Sequence, residues 1–226
     1  MEKVKKFFGT NTGKVVGVLA VLMVIGAVSS SDGKKSPSNG STKSTVATAA
    51  PVDPAKLAAD KARLAELKTK FNYKYDEFEK KGWYEAKSQV ATNTFNSQVL
   101  ELMVNNAGYA YLQDRYYGDD WLFHTHVEVK IGDAIYKSDD IPSYDENNSS
   151  WNSGGSVWES ISYTAGRDNG IIKAIAESGD QVVKVRFAGG QSVKDFTLTK
   201  RDQQAIKDAY ELSNLIIETG DTGTQS

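Results

Sequence analysis

The chain has 226 residues, of which 39% are hydrophobic and 25% are charged, a composition ordinary for one folded module with appendages. It contains no cysteine, which excludes disulfides, thiol catalysis and cysteine-based zinc sites. A total of 27 basic and 29 acidic residues gives a formal net charge of −2. Because acidic residues outnumber basic ones after residue 30, the sequence predicts no nucleic-acid partner.

The N-terminal segment predicts export. Residues 1–14 carry four lysines against one glutamate, whereas residues 15–31 carry no charge. The uncharged stretch is at the lower limit for crossing a hydrocarbon core of about 30 Å. The lysines predict that its N-terminal side is cytoplasmic. We therefore expect a basic cytoplasmic segment over 1–14 and a transmembrane anchor over 15–31. A cleaved signal peptide stays the alternative, and either one exports the rest of the chain.

The next two elements are a linker and a helix. Residues 32–52 are rich in Ser, Thr, Gly, Ala and Lys, which predicts a flexible linker. Asp53 is a suitable N-cap and Pro54 suits the first turn, so a helix is predicted over 53–81, before Gly82. Its apolar stripe consists of Leu57, Leu64, Leu67, Phe71 and Phe78.

From Trp83 onward the apolar residues alternate, which is typical of strands. The predicted strands are 83–87, 98–104, 109–116, 121–131, 134–138, 157–163, 182–187 and 193–198. Gly132 and Asp133 predict a tight hairpin turn, and Gly189 with Gly190 a second reversal. The polar stretch 139–152 is predicted as a loop.

Two helices complete the pattern. One is predicted over 169–177 with Asp168 as its N-cap, and the other begins at Thr199. Residues 219–226 are predicted as a loose tail. Central strands with flanking helices predict an α+β domain, mostly antiparallel sheet, over 53–218 and outside the cytoplasm.

The stretch YYGDDWLFHTHVEVKIGD, residues 116–133, holds both histidines of the chain. Alternation puts His124 and His126 on the polar face of the predicted strand, as in an ordinary half-buried strand. Residues two apart lie about 6.6 Å from each other along a strand, so both imidazoles could reach one metal ion. Glu128 would lie about 13 Å from His124, too far to be the third ligand. A metal site at these histidines stays an open alternative, and no cofactor is predicted.

Aromatic side chains provide the candidate binding residues. Trp151 falls in a polar Asn, Ser and Gly context, where it is either a contact residue or a lid over the core edge. Tyr109, Tyr111 and Tyr117 share one face of a predicted strand. Exposed Tyr and Trp are effective contact residues for proteins and sugars.

Three blocks resemble a widespread group of uncharacterised bacterial exported domains. These blocks are YYGDDWLF at 116–123, VWES at 157–160 and VVKVRFAGGQSVKDFTLTKRDQQAIKDAYE at 182–211. The resemblance covers about residues 72–212. Members of the group are usually anchored by one N-terminal helix or by a lipid-modified cysteine, which this chain lacks. The resemblance implies the architecture and structural aromatic residues, and it implies no activity and no site residue.

No nucleophile elbow, P-loop or dinucleotide motif occurs, and Asp119 with Asp120 has the pattern of a turn. The sequence therefore predicts no catalysis. It predicts a membrane-anchored binding module of the bacterial envelope, whose partner is an envelope protein or a cell-wall component. A glycan-binding domain, or a metal-assisted hydrolase that uses the two histidines or the two aspartates, is the alternative.

Overall fold

The computed structural model describes residues 53–89, 97–190 and 192–222. These ranges form an α+β fold with antiparallel sheets, as the sequence predicted. The predicted cytoplasmic segment, anchor and linker at 1–52 lie outside the described residues. Within the described ranges, the helices lack the length and apolar character needed to cross a membrane.

Helix α1 spans Pro54–Lys68, and the Asp53 carboxylate caps it by accepting from the amide of Ala55 at 2.9 Å. The prediction of a helix over 53–81 is wrong beyond Lys68. From Phe71 onward the aromatic residues alternate, and the chain pairs as a strand that buries the Phe71 ring edge-on against Tyr84. Aromatic side chains favour this pleated surface over a helix.

Six strands form the larger sheet, in the spatial order β1-β2-β3-β4-β8-β7, and every neighbouring pair is antiparallel. A short 3₁₀ helix, Lys87–Gln89, follows β2. The strands are β1 (Phe71–Asp76), β2 (Lys81–Ala86), β3 (Ser97–Asn105), β4 (Ala110–Gly118), β7 (Asn148–Ser153) and β8 (Ser156–Tyr163).

Four strands form the smaller antiparallel sheet, in the order β10-β9-β5-β6. The predicted turn at Gly132 joins β5 to β6, and the predicted reversal at Gly189 and Gly190 follows β9. The strands are β5 (His126–Ile131), β6 (Ala134–Lys137), β9 (Val183–Ala188) and β10 (Lys194–Thr197).

Two further helices close the core. Helix α2 spans Ile171–Ala176, and helix α3 spans Lys200–Thr219, so the first residue of the predicted tail is helical. The Thr199 hydroxyl caps α3 by accepting from an amide of its first turn. One face of α3 is buried against β3, α1 and α2, including Ile206, Ala209 and Leu212. This helix therefore fixes which face of the larger sheet is internal.

The outer face of the larger sheet is the opposite one. On β4 the alternate residues Leu112, Asp114 and Tyr116 are buried, whereas Tyr111 and Tyr117 are only partly buried. We use the name outer face for Tyr111, Gln113, Arg115 and Tyr117 of β4 together with their partners in the neighbouring strands. The exposed side chains on this face are the ones that a partner molecule can reach.

Two predictions near the sheet junction are wrong. The predicted strand over 121–131 begins only at His126, because Phe123 has a left-handed backbone with φ of 49° that breaks the alternation. The predicted loop over 139–152 ends in strand β7, which contains Trp151. Trp151 is therefore a strand residue at the end of the larger sheet.

Candidate binding surface

A buried network forms around His124, between the two sheets. Its Nδ1 atom lies 2.9 Å from Oε2 of Glu159, and its Nε2 atom lies 2.9 Å from Oδ1 of Asp114. The side chains of His124 and Asp114 are 0% exposed and that of Glu159 is 3% exposed. Both ring nitrogens donate when the imidazole is protonated, so the geometry matches a cation held between two carboxylates.

The protonation of this network follows from its charges. Burial lowers the pKa of His124, but the charges and hydrogen bonds of Asp114 and Glu159 outweigh burial and raise it to about 10. Burial likewise acts to raise the pKa of Glu159, yet hydrogen bonds from His124 and from the amides of Phe123 and Leu122 hold it below its ordinary value. The network therefore carries a charged imidazolium at neutral pH.

The remaining polar atoms of the network bond to the backbone and to one tyrosine. Glu159 Oε1 accepts from the amides of Leu122 and Phe123 at 2.6 and 3.1 Å. Asp114 accepts from the amide of Ile161 at 2.9 Å and from the Tyr163 hydroxyl at 2.8 Å. These bonds tie β4, β8 and the segment 121–125 together. The three side chains of the network are therefore enclosed within the fold.

The two histidines do not share the predicted polar face. His124 points into the buried network, because the left-handed residue Phe123 precedes it. His126 is on the same side of β5 as Glu128, but it is only 6% exposed. Its Nδ1 atom lies 2.8 Å from Asp140 and its Nε2 atom 3.5 Å from Glu128. Among the described residues, no group of three or more His, Asp or Glu is arranged to hold a metal ion.

An aromatic ladder crosses one end of the outer face. It consists of Tyr117 on β4, Trp158 on β8 and Trp151 on β7, which are direct cross-strand partners. The Tyr117 and Trp158 rings are 4.6 Å apart with an interplanar angle of 18°, and the two indoles are 5.5 Å apart at 2°. Trp151 is 45% exposed. The ladder presents rigid, partly desolvated aromatic surface, which is favourable for contacts.

The other predicted binding residues are more scattered. Tyr111 is on the same outer face, where its ring meets Trp83 edge-on at 5.4 Å. Tyr109 lies in the β3–β4 turn and is 72% exposed. The structure thus joins Tyr117 and Trp151 in one ladder and places Tyr111 and Tyr109 further along the same hairpin.

An ion pair between a buried glutamate and a partly exposed arginine separates the ladder from Tyr111. Glu101 of β3 is 2% exposed, and a terminal nitrogen of Arg115 lies 2.7 Å from its carboxylate. Burial raises the pKa of Glu101 to about 7, although Arg115 acts in the opposite direction. The outer face therefore contains a buried carboxylate that is half-protonated near neutral pH and is paired with Arg115.

Sequence reasoning missed Trp158, Glu159 and Asp114. Trp158 was grouped with the structural aromatic residues of the sheet, and its contact with Trp151 depends on a strand that the polar composition of 148–153 does not predict. The available signal was the parity of β8, since Trp158 alternates with the apolar residues Val157 and Ile161 on the opposite face. Alternation places Asp114 and Glu159 on the buried faces of β4 and β8, but their partner His124 comes from another part of the chain and does not follow from that pattern.

Comparison with known proteins identifies no relative of this chain from which a function could be assigned. No family model matches the chain, and no curated protein or solved structure is significantly similar to it. The resemblance to exported bacterial domains stays a prediction.

Proposed function

We propose that this chain is a membrane-tethered binding module of the bacterial envelope, with its α+β domain outside the cytoplasm. The aromatic ladder carries the proposal: three rings are aligned across neighbouring strands, and the outermost, Trp151, is 45% exposed. Trp and Tyr supply large contact area with few rotatable bonds and dominate many protein interfaces. The ladder is the contact surface in this proposal.

The burial of the cluster around His124 favours binding over catalysis. His124 and its two carboxylates are enclosed, and both ring nitrogens already bond inside the protein. A general acid or base must come within hydrogen-bond reach of its substrate. In this proposal the buried network stabilises the fold. It does not supply the catalytic groups of a hydrolase.

The tether follows from the N-terminal pattern. The predicted anchor over 15–31 and the flexible linker over 32–52 would hold the domain near the membrane while allowing it to search for a partner. Tethering raises the effective concentration of a binding domain at the membrane surface. The partner is an envelope protein or a cell-wall component within reach of that linker.

Fusion of alkaline phosphatase after Ser226 tests the topology. We expect the fusion to be enzymatically active in a bacterial host, because the anchor predicts that the C-terminus is exported. A matched fusion after Lys14 should be inactive, since that residue lies in the predicted cytoplasmic segment. An inactive Ser226 fusion that is produced at the same level contradicts the exported location.

Replacement of Trp151 by alanine tests the contact surface. We expect the crosslinked envelope partner to be recovered about tenfold less well, which is the consequence of losing about 1.4 kcal/mol at an interface anchor. Tyr144→Ala is the matched control, because Tyr144 is 90% exposed and lies in the loop before β7. The measurement is quantitative mass spectrometry after crosslinking in cells. Equal recovery with both variants contradicts the assignment of the ladder.

Glycan binding is the second candidate, because polar uncharged side chains neighbour the ladder on the same face. The Gln113 amide donates to the Ser162 hydroxyl at 3.1 Å, and Ser160 lies between Ser162 and Trp158 along β8. Hydroxyl and amide groups beside aromatic rings suit a sugar. Purified peptidoglycan in the same recovery experiment separates the candidates: retention that depends on Trp151 favours the glycan, and retention of a protein alone favours the protein partner.

A further inference from the structure

Strand β7 differs from the other edge strands of the two sheets. The sheet orders end at β1 and β7 and at β10 and β6. Three of these strands carry charged residues: Lys74 and Asp76 in β1, Lys194 and Asp195 in β10, and Lys137 in β6. Strand β7 has the sequence NSSWNS, with no charge and no proline. Edge strands are usually protected against pairing with another chain by charged residues, especially lysine, or by proline.

The exposure of β7 is consistent with a pairing role. Residues 150–153 are all exposed, including the large indole of Trp151. Its inner neighbour β8 fixes it firmly, through six consecutive residue pairs from Asn148 to Ser153. An exposed, uncharged edge strand is a template for one more strand.

We infer that β7 pairs antiparallel with β7 of a second copy of this chain, which joins the two larger sheets into one continuous sheet. An uncharged strand can pair with itself in any register without placing like charges opposite each other, which is destabilising. A two-fold axis through such a pair makes the interface isologous, the commonest arrangement of homodimers. This inference depends on the composition and exposure of edge strand β7 and is independent of the proposed function.

The two outer faces limit the possible registers. Ser149, Trp151 and Ser153 belong to the outer face, since they pair with Ser160, Trp158 and Ser156. Among the registers that keep the outer faces continuous, we infer the one in which Trp151 is opposite Trp151 of the second copy and Ser149 is opposite Ser153, because it brings the two exposed indoles together. Strands are spaced by about 4.8 Å, which is compatible with ring stacking. The aromatic ladders of the two copies then become one band.

Single cysteines test this register, because the chain has no native cysteine. Purified full-length Ser149→Cys and Ser153→Cys variants are mixed and oxidised mildly. Directly opposed residues have Cα atoms about 4.5–5.5 Å apart, which a disulfide can span. Two copies of Ser149→Cys would hold their thiols about 14 Å apart, which it cannot. We expect about tenfold more disulfide dimer from the mixture than from either variant alone, because paired thiols have a high effective concentration.

The control is Asp133→Cys, an exposed position in the β5–β6 turn of the smaller sheet. Its mixtures with either serine variant measure random collision. A yield from the Ser149 and Ser153 mixture no greater than this background overturns the inference, as does an equal yield from each variant alone. In that case β7 either pairs with nothing or receives a strand from another protein.

A charge exchange tests the same register without disulfides. The double variant Ser149→Lys, Ser153→Lys puts lysine opposite lysine in both cross-strand pairs and should abolish the dimer in sedimentation of the full-length protein. The variant Ser149→Glu, Ser153→Lys puts glutamate opposite lysine and should retain it. Loss of the dimer in both variants, or retention in both, overturns the register.

Discussion

Replacement of His124 by leucine is expected to lower the free energy of unfolding by about 3–5 kcal/mol, the range for removal of one partner from a buried ion pair. The imidazole bonds to Asp114 and Glu159 at 2.9 Å each, and its side chain is fully buried. Leucine leaves two buried carboxylates without the cation between them. Denaturant unfolding of the full-length chain at neutral pH measures the effect.

His126→Leu is the matched control, since these are the two histidines of the chain. His126 bonds to Asp140, whose side chain is 61% exposed and stays hydrated after the substitution. We therefore expect a loss of about 1 kcal/mol or less. If both variants lose the same stability, the network around His124 does not have the stabilising role assigned to it.

The pH dependence supplies an independent check on the same residue. The folded-state pKa of His124 is raised to about 10, above the ordinary value of 6.5. Its stabilisation is therefore fully present below pH 6.5 and is lost as the pH rises through 10. We expect the wild-type protein to lose stability over this range, and the His124→Leu variant to lack that component. An unchanged pH profile in the variant would contradict the charged state of the imidazole.

The fold class was predictable because most strands alternate and the turns carry their usual residues. The turn at Gly132 and the beginning of the last helix at Thr199 both appear as expected. The helix over 53–81 was overextended because Phe71 and Phe78 continue a heptad spacing by chance. Strand pairing ends the helix instead, because Phe71 packs on Tyr84 of the next strand. Phe78 is fully exposed and does not belong to an apolar stripe.

The candidate site was only partly predictable. Tyr117 and Trp151 were chosen from the sequence, but their common ladder depends on Trp158, which lies between them. The environment of His124 depends on the left-handed backbone of Phe123. The residue type does not predict this conformation, because aromatic residues rarely adopt positive φ. One backbone angle thus turned an expected surface histidine into a buried cation.

Replacement of Gly190 by alanine is expected to lower the free energy of unfolding by about 3 kcal/mol, because added volume in a close backbone contact is destabilising. A Cβ atom at this position would collide with the carbonyl oxygens of Leu122 and Phe123. These are backbone atoms in the segment whose amides donate to Glu159. The collision therefore displaces the segment from the buried network. Thermal and denaturant unfolding of the full-length variant measure the loss.

Gly154→Ala is the control for this substitution. Gly154 has a φ of 60° and nothing within 4 Å of an added Cβ, so only the backbone strain of about 1 kcal/mol applies. The double variant His124→Leu, Gly190→Ala should lose less stability than the sum of the single losses, because both substitutions disrupt the same attachment of segment 121–125. His124→Leu combined with Gly154→Ala should be additive within about 0.5 kcal/mol. Additivity in both pairs would mean that the glycine contact and the buried network stabilise the fold separately.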